Sequence, residues 1–231
     1  MRWKPGTVFW NIFSRKMTNE ERTGREMTRL GSAIIVSGPS GVGKSTVCAG
    51  VRERMPELGF SVSCTTRRPR PGEVDGVHYH FLDDAEFVRR VANGEFLEHA
   101  QVFHHRYGTL KSEVLEQVKA GRDVFLDIDV QGAMQIKKAA EKDPLLRRTT
   151  DLIFIVPPSA EALEKRLRNR ASDSEEQIAL RLATSRRELS FWREYDFLVV
   201  NDDLAAAVDD MAAIIRAVRC RSGKLPEGMF A

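Results

Sequence analysis

The sequence predicts an α/β fold, a parallel sheet covered by helices on both faces and interrupted by an inserted α+β subdomain. Three observations carry that expectation. Short runs that are apolar throughout alternate with helical segments, the pattern of strands buried on both faces. The stretch 60–110 breaks this rhythm, which marks it as an insert. The chain has 231 residues, 42% of them hydrophobic and 30% charged, the size and composition of one compact domain with small insertions.

Ala33-Ile34-Ile35-Val36-Ser37 opens the body as a β-branched run bounded by glycines, and a helix from Lys44 to Met55 follows, ended by Pro56. Phe60 to Cys64 is expected to be a second strand. Residues 65–82, rich in Arg, Pro and Gly, are expected to be loop, closing on the strand-like Val77–Phe81. Asp83 or Asp84 caps a helix to about Asn93 with Gly94 as its stop, and Glu95–Phe103 is extended. A helix over 111–120, a strand over 124–129 and a helix over 131–142, ended by Asp143-Pro144, come next. Asp151–Val156 is a strand, and a helix starts at Ser159. Ser174 and Gln177 form a capping box for a long helix to about Trp192. Phe197–Val200 is the last strand and 204–219 the last helix.

The formal net charge of +3 sits at one end. Residues 1–31 hold seven Lys/Arg against three Glu, which leaves the remaining 200 residues at −1. A body of that charge gives no reason to expect a nucleic-acid partner. The first segment lacks the apolar run of a secretory signal, and no window approaches the ~18–20 apolar residues of a membrane span. A poorly ordered extension without catalytic groups is expected over 1–31, with Met17 and Met27 as alternative starts. Cys48, Cys64 and Cys220 have no paired spacing, which fits reduced thiols and a cytoplasmic location. The five histidines, all between 78 and 105, match no metal-ligand spacing.

Gly38-Pro39-Ser40-Gly41-Val42-Gly43-Lys44-Ser45 satisfies G-x-x-x-x-G-K-[ST], followed by Thr46. Its glycines let backbone N–H groups turn in around a phosphate, and the following helix presents its positive dipole end. Lys44 is placed for the β- and γ-phosphates and the Ser45 hydroxyl for Mg²⁺. The motif follows a predicted buried strand and opens a predicted helix, so a nucleoside-triphosphate site is expected. The insert supplies a second anion feature: Arg67, Arg68 and Arg70 lie within four positions, stiffened by Pro69, Pro71 and Gly72. Planar guanidinium forks of this kind suit a phosphate monoester.

With these runs in view, GPSGVGKST, SVSCTTRRPRPGEVDGVHYHF, GEFLEHAQVFHHRYGT, LDIDVQG and VNDD, in that order, resemble the guanylate kinase family from about Ala33 to Ile215. The resemblance implies a P-loop core over 32–62, 111–156 and 194–220, a GMP-binding insert over 63–110 and a mobile helical lid over 157–193. The 1–31 extension and a 221–231 tail flank this 32–220 domain. It implies transfer of the γ-phosphoryl group of ATP to GMP, with dGMP as a further acceptor. It places Ser63, Arg67, Arg70, Glu73, Tyr79, Glu98, Tyr107, Thr109 and Asp129 at GMP-site positions, with Arg67, Arg70, Tyr79 and Tyr107 on the phosphate and Ser63, Glu98 and Thr109 at the base. The chemistry of the base agrees with that last assignment. Guanine offers N1–H and N2–H₂ donors that a carboxylate and hydroxyls complement, where adenine would present a lone pair.

Asp127 and Asp129 alternate at the carboxyl end of an apolar strand, the crevice side of a parallel sheet. They are assigned to GMP and to the Mg²⁺ water shell without deciding which does which. Arg166, Arg170 and Arg181 match lid arginines of the family, and Arg166 and Arg170 are spaced i,i+4 on one expected helix, with Arg168 off that face. Asn201 matches a position near the adenine of ATP, although an Asn there equally suits a turn. Since the acceptor is already an anionic oxygen, no general base is expected. Lys44, Mg²⁺, Arg67, Arg166, Arg170 and Arg181 would neutralise charge on the transferring group. Three other readings are a non-catalytic guanylate-kinase-like scaffold module, a P-loop kinase for AMP or UMP, and a nucleic-acid-associated ATPase. The intact Lys44, Ser45 and lid arginines argue against the first and the body charge against the last. His78, His104 and His105 have no assigned role.

Overall fold

A computed structural model describes residues 29–102, 104–169 and 174–225. The expected 1–31 extension, apart from its last three residues, lies outside the described residues, as do Phe103, Arg170 and the end of the expected 221–231 tail.

The body begins with β1 (Ala33–Ser37), the phosphate-loop motif and α1 (Lys44–Arg54). After β2 (Gly59–Phe60) the chain enters β3 (Cys64–Thr65), β4 (His80–Phe81), α2 (Asp84–Ala92), β5 (Phe96–Val102) and β6 (His105–Leu110). It returns through α3 (Lys111–Lys119), β7 (Val124–Asp127), α4 (Val130–Lys142), α5 (Pro144–Thr149) and β8 (Thr150–Val156). Then come α6 (Ala160–Arg168), α7 (Glu175–Leu189), a 3-10 turn over Ser190–Glu194, β9 (Phe197–Val200) and α8 (Leu204–Arg219).

The expected α/β class is what forms. Strands β2-β7-β1-β8-β9 make a five-stranded sheet, parallel throughout. Alternate residues of each strand enter opposite cores, which is why the strands read as continuously apolar. Ile34, Val36, Phe125, Ile153 and Ile155 pack with Val47 and Val51 of α1 and Met211 and Ile215 of α8. Ile35, Leu126, Leu152 and Phe154 pack on the other face with Val114 and Val118 of α3, Ile136 of α4 and Leu146 of α5. A second sheet, β4-β3-β6-β5, is mixed: β6 runs antiparallel to β3 and β5, and β3 parallel to β4.

Several expected elements form differently. Phe60–Cys64 is not one strand, because β2 belongs to the large sheet and β3 to the small one, with residues 61–63 crossing between them. Local propensity cannot see a change of partner. The expected strand Val77–Phe81 keeps only its last two residues, since Gly76 turns the chain at φ +73° and Val77 stands exposed. Strand β6 was not expected from its polar, glycine-containing sequence, and it forms through pairing with β5 and β3. Helix α4 ends at Lys142 before Asp143-Pro144 as expected, and a further short helix, α5, follows at once with Pro144 in its first turn and Asp143 capping the N–H groups of Leu145 and Leu146. Strand β7 ends at Asp127, and Asp129 instead caps α4 by accepting from Gly132 N at 2.8 Å. The long helix stops at Leu189. Helix α6 spans Ala160–Arg168, and Arg170 of the expected Arg166–Arg170 pair lies outside the described residues.

Charged residues lock the floor of the sheet. Arg29 donates to both oxygens of Asp123, at 3.0 and 2.8 Å, and Arg219 Nε donates to the same carboxylate at 2.7 Å. Lys224, fully buried, donates to Ser32 Oγ at 2.6 Å, Asp151 Oδ2 at 2.7 Å and the Val218 carbonyl at 2.9 Å. The packed body therefore takes in residues at both of the expected tail boundaries. No described helix is long and apolar enough to cross a membrane.

Candidate active site

The loop 38–45 links the buried β1 to α1 at the carboxyl end of the large sheet. Gly43 holds φ +91°, and a Cβ there would lie 2.5 Å from Asn201 Nδ2, so conformation and space both require glycine. Helix α1 has no side-chain cap and no acid in its first turn, so its positive end is open to an anion, although the Thr46 N–H already donates to the Gly43 carbonyl at 3.1 Å. Behind the loop, buried Asn201 donates to the Val42 carbonyl at 2.7 Å. Arg166 donates to the same carbonyl at 3.2 Å and to the Asn201 carbonyl at 2.8 Å. Both side chains thus grip loop backbone from α6 and the end of β9, a contact that their sequence assignments did not include.

Lys44 closes the loop and reaches forward to pair with the Asp127 carboxylate at the end of β7. Burial draws its pKa below the ordinary lysine value. Beyond it opens a cleft of about 180 Å³ lined by Lys44, Ser63, Tyr79, Glu98, Ala100, Tyr107, Asp127, Ile128 and Asp129. Residues expected at separate motifs therefore meet, brought together because β5 and β6 of the small sheet face the ends of β7 and α4. Thr109 lines an adjoining recess with Ser63, Tyr79 and Asp127.

Glu98 is the one buried carboxylate of this cleft. Thr109 Oγ1 donates to its Oε1 at 2.6 Å, and burial nevertheless pushes its carboxyl up to about 7, with Asp129 adding to the rise. A Cβ on Gly132 would come 2.7 Å from Glu98 Oε2, so the glycine of the LDIDVQG run makes room for this side chain. The sequence reading gave Gly132 no role.

In the arginine-rich loop of the insert, Arg67 Nη1 and Nη2 donate to the two oxygens of Glu73. The Arg67 guanidinium lies 5.4 Å from the Tyr79 ring centre, and the Tyr79 and Tyr107 rings are 6.1 Å apart. Arg70 is exposed and lines a different, open cleft with Thr66, Arg67, Arg68, Asp84, His104 and His105. Arg181 is half-buried on α7, and Arg168 is spent on Glu164 and Glu175. Ser45 and Thr46 are exposed at the start of α1.

Residues 31–218 match the family model described as guanylate kinase. The chain belongs to the guanylate kinase family. It is 45% identical over 195 residues to a guanylate kinase of Sphingopyxis alaskensis, covering 84% of this chain and 86% of that one. With a guanylate kinase of Cereibacter sphaeroides it shares 46% over 203 residues, 88% and 94% of the two chains. Among solved structures, the crystal structure of guanylate kinase from Anaplasma phagocytophilum superposes with a TM-score of 0.66 at 33% identity, covering 85% of this chain and 90% of that one. This member of the guanylate kinase family is accordingly an enzyme, a P-loop kinase with the family's sheet.

Two residues near the guanylate kinase loop went unnoticed in the sequence, Ser185 and Glu188 of α7, which reach Ser40. Helical phase marks Ser185 as inward-facing; nothing local names its partner.

Proposed function

We propose that this chain transfers the γ-phosphoryl group of ATP to GMP, and to dGMP, giving ADP and GDP or dGDP respectively. The observation that carries the reading is buried Glu98, hydrogen-bonded to Thr109, in the same cleft as Lys44. An ionised carboxylate there accepts from guanine N1–H and N2–H₂, and Ser63 adds a hydroxyl. Arg67, Arg70, Tyr79 and Tyr107 take the GMP phosphate, with Glu73 setting Arg67. The triphosphate lies along 38–46 with its base toward Asn201.

The acceptor oxygen is anionic, so the residues act by holding the two phosphates in line and by neutralising charge. Lys44 serves the β- and γ-phosphates, and Arg67, Arg166, Arg170 and Arg181 complete the cage as the insert (63–110) and the lid (157–193) close on the core. Closure also excludes water, which limits ATP hydrolysis.

The donor set fits Mg²⁺ arriving with the triphosphate. Ser45 offers one hydroxyl, Asp127 and Asp129 can reach through water, and no group of three or more His, Cys, Asp or Glu that could hold a metal occurs among the described residues. Bound there, the ion supplies charge neutralisation on the phosphate oxygens. The cytoplasm, where both nucleotides are available, is the compartment that this reading fits.

The experiment is ADP production from ATP with GMP, dGMP, AMP, UMP or an oligonucleotide as the only addition. Turnover with the two guanine nucleotides alone is expected. Equal rates with AMP and GMP would overturn the guanine assignment.

A further inference from the structure

The loop is gripped on two flanks. On one, Arg166 and Asn201 hold the Val42 carbonyl. On the other, α7 holds Ser40 at both of its backbone polar groups. Ser185 Oγ donates to the Ser40 carbonyl at 3.3 Å, and Ser40 N donates to Glu188 Oε2 at 3.4 Å. Ser185 is fully buried and Glu188 half-buried, one turn apart on the same face of the helix. Between the two grips Gly41 rests directly on α6, where a Cβ would meet Leu167 Cδ2 at 2.6 Å.

A phosphate cradle works only while its N–H groups converge, and a loop of small residues does not hold that shape unaided. Glu188 also lies near Asp129, Arg187 and Lys44, and burial raises its carboxyl above the ordinary range. Protonated or ionised, it keeps an oxygen free to accept from Ser40 N–H, so the contact does not depend on its charge.

We propose that Ser185 and Glu188 are positioning residues for the phosphate loop, setting its shape through Ser40 and so coupling nucleotide affinity to the seating of α7. This rests on the reading of 38–46 as the triphosphate site. Helix α7 lies within the segment proposed as a lid, so the clamp would make lid position and loop geometry one variable.

The test uses the full chain and the variants Glu188→Ala, Glu188→Gln and Ser185→Ala. Calorimetric titration with a non-hydrolysable ATP analogue is expected to show Kd about tenfold higher for Glu188→Ala, the loss of one hydrogen bond. Ser185→Ala should show a smaller rise, GMP affinity should stay within about twofold, and Glu188→Gln should restore analogue binding to within about threefold. Backbone amide exchange over 38–43 in the nucleotide-free chain should speed up about tenfold in Glu188→Ala and stay near wild type in Glu188→Gln. Unchanged exchange and affinity in Glu188→Ala would overturn the proposal, as would equal losses for the analogue and GMP, or a glutamine variant as impaired as the alanine one. A wild-type chain that failed to bind the analogue would instead strike the reading of the loop, while the exchange measurement still judged the clamp.

Discussion

The Arg67 guanidinium and the Glu73 carboxylate meet fork to fork, with Nη1 and Nη2 donating at 2.9 and 2.8 Å. Glu73 also accepts from the Arg70 amide at 2.7 Å, and these bonds, with Arg67 foremost, hold its carboxyl down to about 2. The arginine-rich loop therefore carries its own counter-charge, which fixes the plane of Arg67 beside Tyr79.

Planarity is what a substitution at Arg67 tests. Arg67→Lys keeps the charge and loses the fork, so KM for GMP is expected to rise about tenfold or more while KM for ATP moves less than twofold. Steady-state kinetics with each nucleotide varied in turn decides it, and an unchanged KM for GMP would remove Arg67 from the acceptor site.

If Glu98 holds the base as proposed, acceptor binding depends on pH. The group would have to be ionised to accept guanine's donors, and burial raises its pKa to about 7. GMP affinity should accordingly be full above about pH 8 and fall as pH drops through 7, approaching tenfold per unit below it. Glu98→Gln should abolish this acid limb and lower kcat/KM for GMP by about a hundredfold or more, with little effect on the trace rate with AMP. A Glu98→Gln variant that kept the limb would show that another group causes it.

What was legible follows from range. The phosphate loop, the capping box at Ser174, the cap of α2 at Asp83 (one of the two aspartates expected there) and helix 204–219 depend on neighbours a few residues apart, and each formed where expected. Strand β6 and the split of Phe60–Cys64 depend on which distant strand pairs, which local propensity does not encode. The meeting of Lys44, Glu98 and Asp129 in one cleft came through family resemblance, since spacing alone left Glu98 free to face solvent. The contacts that brace the loop, Arg166 and Asn201 to Val42 and Glu188 to Ser40, span 124, 159 and 148 residues and left no local trace.

Lys44→Ala removes the side chain at the junction of loop and cleft. The folded variant is expected to lose at least about a hundredfold in kcat, as for other groups that stabilise developing charge. Near-wild-type turnover would sink the role assigned to Lys44.

Asn201→Ala tests bracing from behind. Its amide is buried and donates to Val42, so the variant should lose about 1–2 kcal/mol of stability in denaturant titration and bind ATP more weakly, with GMP affinity nearly unchanged. Equal stability would mean that the Arg166 bond alone suffices.

Lys224→Ala leaves fully buried Asp151 with Arg221, 2.8 Å from its other oxygen, as its cation. The loss should therefore fall at or below the low end of the about 3–5 kcal/mol for breaking a buried pair from one side, and Lys224→Met with Asp151→Asn should recover part of it. Thermal unfolding of the three proteins separates these outcomes.

The same lysine bears on how the chain is made. Ser32 and Asp151 precede it by 192 and 73 residues, so both leave the ribosome well before it does. Until Lys224 emerges, the nascent sheet can close only by burying Asp151 without its lysine. A chain ending before residue 224 thus loses the bonds from this lysine to both Ser32 and Asp151, so the two ends of the sequence meet in one folding step at the floor of the sheet.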